Sequence, residues 1–471
     1  MKVLLVNPPI PKTYYNTEFY LPLSLLYIAA VLRQNGEEVK ILDLKIYSNL
    51  RIADFDAFYS QKIIDTVSDF KPEMIGFGCL YSGQFPDILR YSELLKSKNK
   101  DIPIVMGGIH PTLYPREILT NCPSIDFIVI GEGEDSFIRF INEYKSGRKH
   151  FDDIDGFAYR ADNKINIKCK MRFIENLDSL PFPAYDLVNM SDYDVDTSDW
   201  FNPKNLSFKT TIPMISSRSC PNKCNFCSMY HVMGPRWRAR SPENVVDEIE
   251  FLYNTYNHRH FSFMDDNLTL RKSHVLSICR LIKERKLNIE FETPNGISIR
   301  TLDKEVLDAL VSAGLVRMSL AIESGSDFIR NKVMGKNLKE ENILEIINLV
   351  KQYKDIYVRA FFIIGMPEET NETLEATYNM IKKIDVDKIY LHNIIPYPGT
   401  AVYQQALRDN LLVNISPDDF YKTDKLYLTN YDSFFIKPYK LTIEELITFR
   451  KRCEHLINDL KEKRTSKAHG E

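Results

Sequence analysis

The sequence predicts an α/β protein in which a doubly wound parallel sheet is followed by a second, barrel-like series of β-α units. Two observations predict this class: short apolar runs alternate with amphipathic segments over residues 1–148, and the same alternation returns from Thr211. Parallel sheets covered by helices on both faces give this pattern. A chain of 471 residues with 44% hydrophobic residues can form two to four domains with complete cores.

The first domain is predicted over residues 1–148, with five buried parallel strands. They are Lys2–Asn7, Val39–Asp43, Met74–Leu80, Ile102–Met106 and Phe127–Ile130. Between the first two strands, Leu21, Leu25, Ile28 and Leu32 keep helical spacing, and Gly36 can adopt the left-handed conformation that ends a helix. These features indicate a flavodoxin-like (Rossmann) fold, in which ligands bind beyond the carboxyl ends of the strands.

Four loops follow those strand ends and form the predicted binding edge. They are Asn7-Pro8-Pro9, Cys79-Leu80-Tyr81-Ser82-Gly83, Gly107-Gly108-Ile109-His110-Pro111-Thr112 and Gly131-Glu132-Gly133-Glu134. Glycine lets a backbone approach a bulky ligand or adopt a positive φ, although tight strand-to-helix turns use glycine for the same reason.

Residues 149–205 are predicted to be a linker with one ordered hairpin. Asp155–Arg160 and Ile165–Phe173 alternate around the turn Ala161–Lys164, as hairpin strands do. Pro181 and Pro183 then exclude regular structure.

The second domain is predicted over residues 206–410, with six strands. They are Thr211–Ser217, His260–Asp265, Ile289–Asn295, Val316–Ile322, Val358–Gly365 and Lys388–Pro396. Helix signals separate them, with caps expected at Ser241, Asp303 and Thr370 and a stop at Gly314. Six units fall short of the eight that close a barrel, so we expect an open barrel with its site at the carboxyl ends of the strands.

The C-terminal region, residues 411–471, combines an aromatic stretch, Phe420–Phe435, with a charged helix, Thr442–Lys463. The sequence assigns no chemistry to it.

A cysteine loop follows the first strand of the second domain: Cys220-Pro221-Asn222-Lys223-Cys224-Asn225-Phe226-Cys227. Thiolates spaced C-x-x-x-C-x-x-C suit an iron-sulfur cluster or zinc. Zinc normally takes four closing ligands, and neither His231 nor Cys279 has an obvious second-pair spacing. A four-iron cluster held by three cysteines leaves one iron open for a small molecule, and we favour this interpretation.

The cysteine spacing, with Phe226 directly before the third cysteine, resembles the signature of the radical S-adenosylmethionine (radical SAM) superfamily. The resemblance implies a 4Fe-4S cluster on Cys220, Cys224 and Cys227, with S-adenosylmethionine on the open iron and Phe226 beside the cofactors. It also implies an electron donor such as flavodoxin or ferredoxin.

Glu323 and Ser324, after the fourth strand of the predicted barrel, match an E-S pair that contacts S-adenosylmethionine in that family. A carboxylate at the end of an apolar strand needs a donor such as a ribose hydroxyl or an ammonium group. Arg359, on the fifth strand, either binds the methionyl carboxylate or forms an outward salt bridge.

The ordered loops G-G-x-H-x-T and G-E-G-E, upstream of the cysteine loop, resemble the cobalamin-binding domain found N-terminal to many radical SAM enzymes. The resemblance assigns cobalamin contacts to residues of all four loops: Asn7, Ser82, Gly107, Gly108, His110, Thr112, Gly131, Glu132 and Gly133. Domains that ligate cobalt through histidine carry D-x-H-x-x-G after the first strand, where this chain has Asn7-Pro8-Pro9. His110 lies on a different loop, so it either touches the corrin edge or caps its own turn.

These cofactors imply cleavage of S-adenosylmethionine to a 5′-deoxyadenosyl radical that abstracts hydrogen from an unactivated carbon. Methylation of such a carbon, or of phosphorus, in a small molecule or in a natural-product or lipid precursor is the leading hypothesis. An anaerobic oxidative cyclase uses the same cofactors and is an open alternative.

Two further alternatives are weaker. A methylthiotransferase would hold a second cluster on three N-terminal cysteines, but Cys169 lies in the predicted hairpin. A non-catalytic cobalamin carrier or sensor is disfavoured because all three cluster cysteines are present.

The N-terminus and the cysteine usage lead us to expect a cytoplasmic protein. Lysine and arginine total 61 against 64 acidic residues, which does not favour a nucleic-acid partner. The N-terminus enters a strand without a signal-peptide pattern, and we expect no transmembrane segment. Eight cysteines, three in one loop, do not suggest a disulfide framework.

Overall fold

The computed structural model describes residues 1–10, 20–48, 50, 52–194, 201–207, 209–423 and 433–468. The chain folds into two compact units. The first comprises Met1–Val195, His231–Gly234 and Pro417–Thr429, and the second comprises Asp196–Tyr230, Pro235–Ser416 and Asn430–Glu471. Both are α/β, as the alternation of apolar runs predicts.

The first unit is built on one mixed sheet. Its strands are β1 (Lys2–Asn7), β2 (Glu38–Asp43), β3 (Met74–Gly78), β4 (Ile104–Gly107), β5 (Phe127–Val129), β6 (Phe157–Ala161) and β7 (Lys164–Lys168). The described strands run in the order β2-β1-β3-β4-β5-β6-β7, and β1 to β5 pair in parallel. This order of the first five strands confirms the flavodoxin-like fold.

Helices connect these strands and cover the sheet. They are α1 (Leu23–Gln34), α2 (Phe55–Phe70), α3 (Phe85–Lys98), α4 (Ile109–Leu113), α5 (Pro115–Asn121) and α6 (Glu134–Lys145). Burial on both faces explains why Val3, Leu4, Leu5 and Val6 of β1 form an unbroken apolar run, each at most 1% exposed.

The predicted hairpin is an integral edge of this sheet, rather than an element of a separate linker. Strand β6 pairs antiparallel with β5, and β7 pairs antiparallel with β6. Phe157 of β6 lies 4.6 Å from Phe140 of α6, measured between ring centroids, and both rings are fully buried. Aromatic packing therefore fixes the hairpin against the sheet.

The second unit carries the predicted six-stranded parallel sheet. Its strands are β8 (Thr211–Met214), β11 (His260–Phe263), β12 (Glu290–Ile297), β13 (Leu315–Glu323), β14 (Tyr357–Ile364) and β15 (Lys388–Asn393), with a short ladder of β9 (Ser217–Arg218) and β10 (Arg238–Ala239). The described strands run β15-β14-β13-β12-β11-β8, each parallel to its neighbour. Neighbours in space are thus neighbours in sequence, as in a partial (β/α)6 barrel.

The helices of the second part of the chain follow their local signals. They are α7 (Met229–Met233), α8 (Pro242–Tyr256), α9 (Lys272–Glu284), α10 (Lys304–Ala313), α11 (Glu340–Val350), α12 (Asn371–Lys383), α13 (Ala401–Arg408) and α14 (Ile443–Ala468). Ser241, Asp303 and Thr370 accept the predicted capping bonds, and Gly314 ends α10 with a φ of 116°. None of the helices among the described residues is both long and apolar enough to cross a membrane.

A short segment, residues 201–207, passes the amino ends of the barrel strands. The backbone N–H of Lys204 donates to Glu290 Oε1 at 2.9 Å, and its ammonium donates to the carbonyl of Ile289 at 2.8 Å. Phe201 lies 6.0 Å from Tyr357 between ring centroids. The segment therefore contacts the starts of β12 and β14.

The C-terminal region divides between the two units. Pro417–Thr423 belongs to the first, where Phe420 is fully buried and the Tyr421 ring lies 6.2 Å from that of Phe85. Part of the predicted aromatic stretch, 424–432, lies outside the described residues. Helix α14 confirms the predicted charged helix and extends it.

Candidate functional site

The β9-β10 ladder joins the two ends of the segment 219–237, which contains the cysteine loop and α7. At its start, Asp265 accepts bonds from the Ser216 N–H and from the Ser216 and Ser217 hydroxyls, at 3.1, 2.6 and 2.5 Å. Asp266 accepts the N–H of Ser219 at 2.9 Å. The end of β11 therefore positions the segment that leads into Cys220.

Segments that follow β13 and β15 in the chain hold the middle of the loop. The N–H of Asn225 donates to the carbonyl of Met334 at 3.2 Å, and the carbonyl of Asn225 accepts from the N–H of Val402 at 3.1 Å. Phe226 packs against the buried cluster that includes Met334 and Val402. Phe226, predicted beside the cofactors, thus anchors the loop through apolar contacts.

The three cysteines are free and partly exposed. Asn267 Nδ2 donates to Cys220 Sγ at 3.6 Å. Burial raises the pKa of Cys224, and it raises the pKa of Cys227 to about 12, so a metal must displace protons from these thiols when it binds.

Among the described residues, no three His, Cys, Asp or Glu side chains converge on a point where one metal ion could bind. A cubane places each thiolate on a different iron, so its ligands need not converge on one point. The donor set, three soft thiols on one partly exposed loop, fits the cluster that the sequence implies.

Glu323 ends β13 in a conformation that a non-glycine residue rarely adopts. Its φ is +71°, and the pairing with β14 shifts register between Ala321 and Glu323. Such backbone strain, of order 1–3 kcal/mol, clusters at functional sites. The twist presents the carboxylate to Lys336, whose Nζ lies 3.0 Å from Glu323 Oε1.

Lys336 connects Glu323 electrostatically to the cysteine loop. Burial lowers the pKa of its ammonium, but Glu323 and Cys224 raise it, and the net shift is upward. Lys336 therefore stays protonated beside Cys224 and Glu323. No sequence motif marks Lys336, which lies in the irregular segment before α11.

The Ser324 hydroxyl turns away from the rim. It is fully buried, lies 3.2 Å from the Thr377 hydroxyl and accepts the N–H of Ser326 at 3.2 Å. A Cβ on Gly325 would lie 2.2 Å from the carbonyl oxygen of Ala376, so the loop packs directly on α12. The structure thus uses the Ser324 side chain to hold the loop that presents Glu323.

Arg359 lies deep in the barrel, away from the rim. It is the third of eight residues in β14, is 7% exposed, and its Nη2 lies 3.3 Å from Glu292 Oε2. Both predicted roles are corrected, because the guanidinium pairs inward with β12 instead of reaching the strand ends or the outer surface.

The first unit also gathers its predicted residues at one sheet edge, but most of these side chains contact protein. Asn7 Nδ2 donates to Asp43 Oδ1 at 2.8 Å, and Glu132 Oε2 accepts the N–H of Ile174 at 3.0 Å. Thr112 Oγ1 donates to the carbonyl of Gly108 at 2.8 Å and accepts the N–H of Gly131 at 2.9 Å. These contacts bind loop to loop.

The glycines differ in what surrounds them. A Cβ on Gly108, whose φ is +115°, would lie 2.4 Å from the carbonyl oxygen of Cys79, and one on Gly131 would lie 3.0 Å from the carbonyl oxygen of Val232. One on Gly133 would meet Ile28 and Val129 at 3.2 Å, whereas one on Gly107 would have its nearest contact at 3.8 Å.

His110 is enclosed. It is 1% exposed, its Nδ1 lies 3.0 Å from the Ser82 hydroxyl, and the rings of Phe85 and Tyr114 lie 4.8 Å away on centroids. Burial lowers the pKa of its imidazole to about 3, so it is neutral. Of its two predicted roles, the geometry favours the structural one.

Among the described residues, Leu80 and Tyr81, which follow β3, are large apolar side chains exposed at this edge, at 45% and 41%. They lie where a doubly wound sheet binds its ligand. A broad, largely apolar macrocycle such as a corrin fits an edge that offers exposed apolar side chains and glycine backbone.

Two family models match the sequence. Residues 17–141 match the B12 binding domain, and residues 214–381 match the radical SAM superfamily. The first range includes β2 to β5 and three of the four strand-end loops of the first unit, and the second includes the cysteine loop and the barrel strands β11 to β14.

Curated relatives span nearly the whole chain. It is 30% identical to an uncharacterized methyltransferase of Pyrococcus horikoshii, over 98% of this chain and 95% of that protein. It is 28% identical to the cytidylyl-2-hydroxyethylphosphonate methyltransferase of Streptomyces wedmorensis, over 87% and 82%. An anaerobic magnesium-protoporphyrin IX monomethyl ester cyclase of Cereibacter sphaeroides is 29% identical, over 82% and 60%.

Among solved structures, the fold matches the radical S-adenosylmethionine methyltransferase TsrM of Kitasatospora setae, solved with cobalamin and a [4Fe-4S] cluster. The TM-score is 0.67 at 18% identity, over 88% of this chain and 76% of that one. The chain belongs to the cobalamin-binding radical SAM enzymes. Its cofactors are accordingly a 4Fe-4S cluster, S-adenosylmethionine and cobalamin.

Proposed function

We propose that this enzyme methylates an unactivated carbon, or phosphorus, of a small molecule by radical chemistry. The observation that carries the proposal is the pairing of a three-cysteine loop with the strained Glu323 at one barrel rim, in a chain 30% identical along its length to a methyltransferase. When bound, the cluster and S-adenosylmethionine supply a 5′-deoxyadenosyl radical, and cobalamin supplies a methyl group.

The residues of the barrel rim hold the cluster and orient S-adenosylmethionine. Cys220, Cys224 and Cys227 would hold the cluster through three thiolates, and the iron without a cysteine would be available to S-adenosylmethionine. Glu323 would accept hydrogen bonds from its ribose or ammonium group, and Lys336, which donates to Glu323 Oε1 at 3.0 Å, holds that carboxylate in its orientation. The backbone of the Ser324 loop, locked on α12, keeps Glu323 in place.

The strand-end loops of the first unit bind cobalamin through apolar contact and shape complementarity, without a side-chain ligand to the cobalt. Leu80 and Tyr81 offer apolar contact, and Gly107 leaves room for close approach of the macrocycle. The other predicted residues of these loops hold the loops against one another. They are Asn7, Ser82, Gly108, His110, Thr112, Gly131, Glu132 and Gly133. A flavodoxin or ferredoxin in the cytoplasm would supply electrons.

The cyclase alternative rests on the relative of Cereibacter sphaeroides, which aligns with 82% of this chain. The two functions predict different products. A methyltransferase adds one carbon to the substrate, whereas an oxidative cyclase removes hydrogen and adds none.

Metabolite analysis of a deletion strain tests the proposal. We expect the strain to accumulate a compound lacking one methyl group, and the anaerobically reconstituted enzyme to transfer label from S-(methyl-d3)-adenosylmethionine to it. Accumulation of a precursor with the same carbon count as the product and two more hydrogens would overturn methylation in favour of cyclisation.

A further inference from the structure

The interior of the barrel carries a charged cluster that the chemistry at the rim does not use. Glu292 of β12 lies 3.3 Å from Arg317 of β13 and 3.3 Å from Arg359 of β14, and Ser262 donates to its other oxygen at 3.1 Å. Glu292 is 1% exposed and Arg359 is 7% exposed. Three adjacent strands therefore direct charge into the barrel, and we call this set the lumen floor.

The charges of the lumen floor do not balance. Two guanidinium groups, those of Arg317 and Arg359, face the one carboxylate of Glu292. Burial lowers the pKa of His260 to about 4, so this neighbour is neutral. Glu290 lies lower and accepts the N–H of Lys204. A buried excess of positive charge is costly unless an anion offsets it.

Among the polar atoms in or beside the lumen floor that lack partners within the described residues, two belong to neighbouring donors. They are Nε of Arg359 and the hydroxyl of Ser319, which is fully buried. The two residues are directly paired across β13 and β14, so their side chains share the inner face. A group that accepts from both would satisfy a guanidinium edge and a hydroxyl together.

Half-buried side chains separate this floor from the rim. Phe361 of β14 lies 5.6 Å from Tyr390 and 6.0 Å from His392 of β15 on centroids, and a Cβ on Gly296 would lie 3.5 Å from both Ala321 and Phe361. Ser319 and Glu323 are four residues apart on β13, or about 13 Å.

From this arrangement we propose that the lumen floor binds an anionic group of the substrate, a carboxylate or a phosphoryl group, through Arg359 and Ser319. The inference deepens the proposed function by naming a substrate class. The substrate is elongated, with an apolar or aromatic middle along Phe361 and Tyr390 and its reacting atom at the rim. Arg317 and Glu292 position Arg359 in this arrangement.

Binding of model anions to the reconstituted holoenzyme tests the inference without turnover. The probes are 4-phenylbutyrate, 4-phenylbutyl phosphate and the neutral 4-phenylbutanol, titrated calorimetrically. We expect the wild-type enzyme to bind at least one anion tenfold or more tightly than the alcohol, and the tighter anion to indicate whether carboxylate or phosphoryl is preferred. Equal affinities, or no binding of either anion, would overturn the proposal.

Three variants separate recognition from structure. Arg359→Met should abolish the preference for anions, Arg359→Lys should retain part of it, and Ser319→Ala should weaken it several-fold. Arg300→Met removes an exposed arginine outside the lumen floor and should change nothing. An anion preference that survives both Arg359→Met and Ser319→Ala would show that the cluster is only a structural ion network. If Arg359→Met fails to fold, Ser319→Ala and Arg359→Lys decide.

The binding result is independent of the methylation test. If the wild-type enzyme preferred anions, Arg359→Met lost that preference and methyl transfer failed, anion binding at the lumen floor would be supported and the proposed methylation would be wrong. If methyl transfer succeeded and the enzyme showed no preference for anions, only the proposal of anion binding at the lumen floor would be wrong.

Discussion

The binding edge of the first unit and the barrel rim of the second solve the same problem differently. Both lie at the carboxyl ends of parallel strands. In the first unit, Asn7, Thr112 and Glu132 hold loops together, and apolar side chains and glycine backbone remain for the ligand. In the second, thiols and a carboxylate face the site. A large macrocycle can be bound by shape, whereas a cluster and a small charged cofactor require specific side chains.

The largest effect should come from the side chains of the barrel rim that bind metal. Replacing Cys220, Cys224 and Cys227 together by alanine should lower the iron of reconstituted enzyme from about four atoms per chain to none. Cobalamin content should not change, because the first unit contributes no residue to the cysteine loop. About eight irons in the wild type would instead support a second cluster and the methylthiotransferase alternative.

A backbone change should be the most damaging single substitution in the first unit. Gly108→Ala forces a Cβ against the Cys79 carbonyl in a conformation that only glycine adopts, and we expect a loss of about 3 kcal/mol and of most bound cobalamin. Thermal unfolding and cobalt content measure this.

Gly147→Ala is the matched control, because Gly147 also has a positive φ, of +83°, but has open space around it. It should cost about 1–2 kcal/mol and leave cobalamin binding intact. Equal damage from both changes would mean that loop packing at Gly108 is unimportant.

The carboxylate of the barrel rim should matter for one ligand only. Glu323→Ala should weaken S-adenosylmethionine binding by about tenfold to a hundredfold, as expected for a lost hydrogen bond to a charged group. The iron content should stay intact, and 5′-deoxyadenosine release should fall accordingly. Loss of the cluster in this variant would show that Glu323 is structural.

The smallest effect should follow removal of the one histidine at the binding edge of the first unit. His110 is buried between Phe85 and Tyr114, and Asn7-Pro8-Pro9 provides no imidazole, so we expect cobalt without a nitrogen ligand from the protein. The electron paramagnetic resonance spectrum of the cob(II)alamin form should show no nitrogen superhyperfine splitting and should not change in His110→Ala. A nitrogen triplet that disappears in that variant would identify His110 as the ligand.

The sequence predicts what local pattern encodes and misses what distant contacts decide. Strand order, the caps at Asp303 and Thr370, and the three-cysteine loop follow from periodicity, capping and spacing within short windows. The ion pair of Arg359 joins residues 67 positions apart, and no local pattern reveals that Glu292 lies two strands away in the sheet. Lys336 and the attachment of the hairpin to β5 were missed for the same reason.

The return of Pro417–Thr423 to the first unit has a consequence for how the chain is made. Phe420 is buried in that unit, and Tyr421 lies against Phe85. On the ribosome, the N-terminal domain therefore emerges long before the segment that completes its surface. The surface that Phe420 and Tyr421 cover therefore stays exposed until the barrel has been synthesised. A fragment ending at residue 195 should accordingly be less soluble than the full chain, and supplying residues 417–423 as a peptide should partly restore it.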